Sequence, residues 1–170
     1  MKKGGANVDK IINVAAYIVN KYREITGESL DEMKLHKLLY FTQRESIAIT
    51  GRPAIDGVFE GWKYGPVCRE VRDAFYNGEI IVRTDDISDT LQYIANNVIY
   101  EYGALETWKL SELSHKDISW KNARRGLLPH EIGTVPLSNE DIKADAAKLR
   151  PYDHVWDMYY DEFETEGAVS

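Results

Sequence analysis

A mainly α domain, a compact bundle of about six or seven helices with a small two-stranded β-ribbon, is what this sequence predicts. Three observations predict it. Apolar residues recur at helical spacing through most of the chain, and glycines fall where those periodic stretches stop. One short stretch, Val58-Phe59-Glu60-Gly61-Trp62-Lys63-Tyr64-Gly65-Pro66-Val67, alternates strand-type side chains and ends at a Gly-Pro corner. Gly65 permits an unusual backbone angle there, and Pro66 suits the first position of a helix. Trp62 and Tyr64 have apolar rings with polar tips, which suits both a core and the centre of a protein interface.

The elements follow in order. Ile11, Ile12, Ala15, Val19 and Tyr22 mark a first helix, with Asn7 as its cap and Gly27 as its stop. A second helix is predicted from Met33 to about Thr50, ending at Gly51. Its stripe of Leu35, Leu38, Leu39, Thr42 and Ile49 runs beside a mixed stripe of His36, Tyr40, Gln43 and Ile47, so it should be covered on two sides. Glycine and proline make residues 51–57 a loop. A third helix starts at Pro66 and stops near Asn77-Gly78, and Glu79-Ile80-Ile81-Val82-Arg83 reads as a strand pairing with residues 58–62.

Asp85, Asp86 and Ser88 cap a fourth helix with the stripe Leu91, Ile94, Ala95, Val98 and Tyr102, closed by Gly103. Shorter helices follow, one through Leu105, Trp108 and Leu113 and one from Ser119-Trp120 through Ala123. Residues 126–137 should form an ordered loop, and Ser138 with Asp141 resembles a capping box for a helix through Ile142, Ala146 and Leu149. Residues 1–150 are read as one domain. Residues 151–170 are read as an acidic aromatic helix or tail, with Tyr152, Trp156, Tyr159 and Phe163 on one side and Asp153, Asp157 and Asp161 among its carboxylates. That end docks either on the chain's own core or on a partner's basic surface.

Composition excludes several classes. No apolar run approaches the roughly 20 residues of a membrane span, and Gly4, Gly5 and Asn7 after Lys2 and Lys3 argue against a secretory signal. A single cysteine, Cys68, rules out an intramolecular disulfide and fits a reducing cytoplasm. The net charge of −7 disfavours strong nucleic-acid binding and favours a neutral or basic partner. Lys116, Lys121, Arg124 and Arg125 form the one local basic cluster.

No catalytic set emerges. His36, His115, His130 and His154 have no metal-ligand spacing, no phosphate-cradling loop or dinucleotide fingerprint is present, and no cofactor is expected. Cys68 falls in the expected first turn of the third helix, where a helix dipole lowers a thiol's pKa, but no partner base can be assigned. His115 reads as a corner histidine and Trp120 as a core plug, with contact to a ligand or partner as the alternative.

Three blocks together carry a resemblance: Lys34-Leu35-His36-Lys37-Leu38-Leu39-Tyr40-Phe41-Thr42-Gln43, then Phe59-Glu60-Gly61-Trp62-Lys63-Tyr64-Gly65-Pro66-Val67, then Leu113-Ser114-His115 followed by Trp120 and Ala123. In order and spacing they resemble the Panacea family, the SocA-like, phage-associated antitoxin domain, over roughly residues 10–130. Ser119 stands where the family commonly has proline, and His36 where glutamine is frequent. The resemblance implies a cytoplasmic antitoxin, not an enzyme, that neutralises a cognate protein toxin by direct binding. A toxin with a basic or nucleotide-binding surface fits the acidic chain. Delivery of the toxin to a protease and DNA-binding autoregulation of the operon are the alternatives, and self-association into a homo-oligomer stays open. Leu35, Leu38, Tyr40, Trp62, Tyr64, Gly65, Pro66, Val67, His115 and Trp120 are then scaffold or partner contacts, and the tail residues are candidate toxin contacts.

Overall fold

In the computed structural model, which describes residues 8–82 and 86–149, the chain runs through β1 (Asp9–Lys10), α1 (Ile11–Thr26), α2 (Glu32–Thr50), β2 (Ile55–Asp56), β3 (Glu60–Trp62) and β4 (Gly65–Val67). It continues through α3 (Arg69–Tyr76), α4 (Glu79–Val82), α5 (Asp89–Tyr102), α6 (Thr107–His115), α7 (Ile118–Ala123) and α8 (Asn139–Ala147). The fold is mainly α with two small ribbons.

Helix α2 is the axis of the packing. Asp31 starts it by accepting from the Lys34 amide at 2.8 Å, and Gly51 in the left-handed region ends it. Every side chain from Leu35 to Ile47 is buried, because α1, α5, α6, α8 and β4 pack around it. Leu35, Leu38, Leu39 and Phe41 are fully enclosed, each worth ~1.5–3 kcal/mol of burial. The polar residues among them need partners. Gln43 finds them on the backbone of Ile55, accepting from its N–H at 3.1 Å and donating to its carbonyl at 2.9 Å, which ties β2 to α2.

The neighbours are built by ordinary rules. Helix α1 buries Ile11, Ala15, Ile18, Val19 and Tyr22 and stops at Gly27. Ser88 caps α5 through the Leu91 amide, and the stripe Leu91, Ile94, Ala95 and Val98 is wholly buried. Ser138 caps α8 through the Asp141 amide. Asp145 of α8 in turn accepts from the backbone N–H groups of Ile118 and Ser119 at 2.7 and 2.9 Å, holding the start of α7.

Three expectations are corrected. Residues Glu79–Val82 form a short helix, not a strand. Both edges of β3 are already taken: β4 pairs antiparallel with it on one side, and Pro136 bridges Glu60 on the other, with Gly61 N–H donating to the Val135 carbonyl. No edge is left for residues 79–83 to join. Pro66 lies in β4, two residues before Cys68, the N-cap of α3. A second ribbon, β1 parallel to β2, precedes α1, whose N-cap is Lys10 instead of Asn7. Helix α6 forms where Trp108 and Leu113 suggested one, with Leu110 fully buried and Trp108 exposed. Asn7, Asp85 and the tail residues Tyr152, Asp153, Trp156, Asp157, Tyr159, Asp161 and Phe163 lie outside the described residues.

Candidate partner-binding face

The β3–β4 hairpin pairs Trp62 with Gly65, so Lys63 and Tyr64 form its tip. Gly65 has φ 124°, a conformation that L side chains rarely adopt, and a Cβ placed there would lie 2.8 Å from both Lys37 Cε and Ser114 Oγ. The hairpin therefore lies directly on α2 and α6. Its base is held by side chains from elsewhere. Trp120 Nε1–H donates to the Trp62 carbonyl at 2.8 Å, and the Trp120 ring stacks on His115 at 3.8 Å and 11°.

Arg124 completes the clamp. Its buried guanidinium donates to the carbonyls of Gly61, Leu128, Glu131 and Ile132, closing the loop 126–137 over the ribbon. The local basic cluster of the sequence is thereby broken, because one of its four members is spent inside the fold. Beneath, Tyr40 donates to Asp117 at 2.6 Å and shares a 2.9 Å hydrogen bond with Ser119, while Arg44 pairs with Asp117 at 2.8 Å.

Two cavities flank Tyr64. One, of about 280 Å³, is lined by Glu32, Met33, His36, Lys37, Trp62, Lys63, Tyr64, Val67, Arg72 and Ile132. The other, of about 410 Å³, is lined by Met33, Tyr64, Thr107, Trp108, Ser111, Glu112 and His115. They share Met33 and Tyr64 as a common wall. Met33 is 43% exposed, Tyr64 54% and Trp108 65%, so three large apolar side chains from α2, the hairpin tip and α6 meet solvent on one face. Such a concentration marks interaction sites more than free surfaces.

The electrostatics of the first cavity are cationic. The guanidinium of Arg72, which lines it, lies 5.3 Å from the Trp62 ring centroid, while that of Arg69, outside the lining and paired with Glu60 at 3.0 Å, lies 5.5 Å away. Glu32 is neutralised locally, holding His36 Nε2–H at 2.9 Å and Arg72 at 3.0 Å. His36 Nδ1 accepts from the Cys68 amide, which fixes that tautomer, and burial holds the imidazole below its ordinary pKa. Lys37 is only 1% exposed, and burial pushes it down to about 8 despite Asp31 and Glu32 nearby. Burial, then the charges of Lys37 and Arg124, lower His115 as well. Its Nε2 is buried and unpartnered among the described residues.

The expected residues therefore divide. Trp62, Tyr64, Val67 and His115 line the cavities; Trp120, Gly65 and Pro66 support the hairpin; Leu35, Leu38 and Tyr40 are core and reach neither cavity. Cys68 is buried, and burial raises its thiol instead of the dipole lowering it. Among the described residues no three His, Cys, Asp or Glu side chains gather as metal ligands, and no helix is long and apolar enough to cross a membrane. Sequence reasoning missed Met33, Lys37, Arg72, Trp108 and Arg124. A helical wheel offered one signal: Lys37 lies four residues after Met33 and three before Tyr40, on the side of α2 toward the hairpin.

The class that this arrangement defines is a helical scaffold presenting an aromatic-walled face. The sequence profile described as Antitoxin SocA-like, Panacea domain, matches residues 35–121, just over half of the chain, and the chain belongs to that family. The match runs from α2 into α7. Antitoxin SocA of Caulobacter vibrioides (strain NA1000 / CB15N) is 45% identical over 38 residues, 22% of this chain and 20% of that protein. The similarity thus spans about a fifth of that relative's length. No solved structure matches the chain.

Proposed function

We propose that this chain is an antitoxin that neutralises a cognate protein toxin by binding it directly in the cytoplasm, with no turnover of its own. Family membership supports an antitoxin role. The observation that carries the binding mode is the cluster of exposed Met33 on α2, Tyr64 on the hairpin tip and Trp108 on α6 around two adjoining cavities, with the hairpin pinned by hydrogen bonds from Trp120 and Arg124. Large aromatics on a pre-formed surface lose little entropy on binding and carry most of an interface's energy. The net charge of −7 favours a toxin with a basic or nucleotide-binding surface, which the bound antitoxin would cover. Residues 151–170, acidic and aromatic, supply a second contact to the same surface.

The test is growth rescue. The product of the neighbouring gene is expressed with the full chain, with Tyr64→Ala/Trp108→Ala, or with a chain lacking residues 152–170. The double variant should accumulate normally and fail to rescue, and truncation should weaken rescue. Full rescue by the double variant removes this face from the mechanism, and full rescue by the truncated chain removes the tail.

A further inference from the structure

The first cavity combines features that an apolar docking groove does not need. Its walls are apolar, from Met33, Trp62, Tyr64, Val67 and Ile132, yet Lys37, Lys63 and Arg72 also line it. The one carboxylate present, Glu32, is already held by His36 and Arg72. Asp31, the other acid near Lys37, is engaged in capping the Lys34 amide. Lys37 itself is almost wholly enclosed, and it makes no hydrogen bond or ion pair with any described residue. An ammonium that is largely desolvated, touches only the cavity it lines and has no carboxylate bonded to it is unfavourable in a finished fold. An aliphatic side chain would fill the space beneath Gly65 without that penalty. The position makes sense where the missing counter-charge arrives from outside.

We propose that this cavity is a receptor for a carboxylate-bearing side chain of the bound protein partner, inserted beside an apolar or aromatic neighbour. The carboxylate meets the Lys37 ammonium and the Arg72 and Lys63 side chains, while its apolar neighbour packs on Trp62 and Tyr64. The inference rests on the reading of this chain as an antitoxin that binds its toxin directly, and it adds what the partner must present. Charge complementarity argues for it, because the cavity is a cationic site on an otherwise acidic chain. A partner with a mainly basic face and one acidic residue in register is selected over partners lacking that residue, which would leave Lys37 desolvated and unpaired.

The experiment is calorimetric titration of the full chain with the purified product of the neighbouring gene at fixed ionic strength, with thermal melts of the free chain. Lys37→Met, which keeps the length of the side chain, should weaken binding by roughly tenfold or more while raising the melting temperature of the free chain. On the partner, Asp→Asn and Glu→Gln substitutions are made one at a time. One of them should lose about the same affinity, and should lose little more when combined with Lys37→Met.

Unchanged affinity of Lys37→Met, or no partner carboxylate that couples to it, overturns the proposal. So does a lowered melting temperature with a matching loss of affinity, which would make Lys37 a structural residue. If the effect of Lys37→Met disappears in the chain lacking residues 152–170, the counter-charge comes from the chain's own acidic end, and the proposal fails. Tyr64→Ala/Trp108→Ala separates the two levels. Weakened binding there with unchanged binding in Lys37→Met defeats only the carboxylate inference, whereas no effect in either defeats the binding face itself.

Discussion

The indole N–H of Trp120 donates to the backbone carbonyl of Trp62 at 2.8 Å, joining two aromatic positions 58 residues apart. The bond fixes the base of the hairpin whose tip carries Tyr64, so the scaffold and the proposed binding face are mechanically linked. Trp120→Phe keeps most of the stack on His115 but removes the donor, and should destabilise the fold by about 1–2 kcal/mol. Denaturant midpoints measure that loss, and faster tryptic cleavage after Lys63 would report the loosened tip.

Gly65 and Gly27 offer a matched comparison. Both have positive φ, but a Cβ at Gly27 meets nothing within 4 Å, whereas at Gly65 it meets Lys37 Cε and Ser114 Oγ at 2.8 Å. Gly27→Ala should cost about 1 kcal/mol from backbone strain alone. Gly65→Ala adds overpacking and should cost roughly 3 kcal/mol or more. Thermal melts of the two variants decide it; equal losses would mean that the hairpin does not bear on α2 as described.

Arg44, buried, and Asp117, mostly buried, form an ion pair at 2.8 Å, with Tyr40 donating to the same carboxylate oxygen. Removing one charge strands the other, so Arg44→Met or Asp117→Asn should each destabilise by about 3–5 kcal/mol. The double variant should lose far less than the sum. Urea unfolding of the three variants provides the cycle, and additive losses would contradict the coupling.

Two buried groups set opposite pH dependences. Burial, reinforced by Glu101 and opposed by Arg44, pushes Glu45 up from 4.5 to about 7. The folded state then binds more protons than the unfolded state between those values, and its contribution to stability falls as pH rises through that window. Lys37, lowered from 10.5 to about 8, binds fewer protons when folded, so its contribution rises between pH 8 and 10.5. Difference curves isolate each group: Glu45→Gln should gain on wild type above pH 7, and Lys37→Met should gain below pH 8, each by roughly 3 kcal/mol. A flat difference for either variant refutes the corresponding burial argument.

Much of this was legible in the sequence because local rules and packing agree there. Gly27, Gly51, Ser88 and Ser138 end or start helices where their chemistry requires, and the stripe of α5 is buried as its spacing implies. Residues 79–82 misled because a short β-branched run fits a strand and a buried helical turn equally, and the deciding fact, the occupied edges of β3, is tertiary. Pro66 suits a helix start and a strand alike, and its place was set by the hairpin register. The proposed binding face was half legible. Trp62 and Tyr64 announced themselves by type, but Met33 and Trp108 are apolar residues on periodic helices, and only the packing leaves them outside. Lys37 and Arg124 were hidden because charged residues read as solvated unless a fold encloses them.

The central claim is that the face around Met33, Tyr64 and Trp108 binds the toxin without being needed for folding. Calorimetric titration of the neighbouring gene's product into wild type and Tyr64→Ala/Trp108→Ala tests it most directly, with melting temperatures taken on the same preparations. The account predicts affinity lower by about a hundredfold, as loss of two hot-spot residues implies, and a melting temperature close to wild type. Wild-type affinity in the double variant would contradict it.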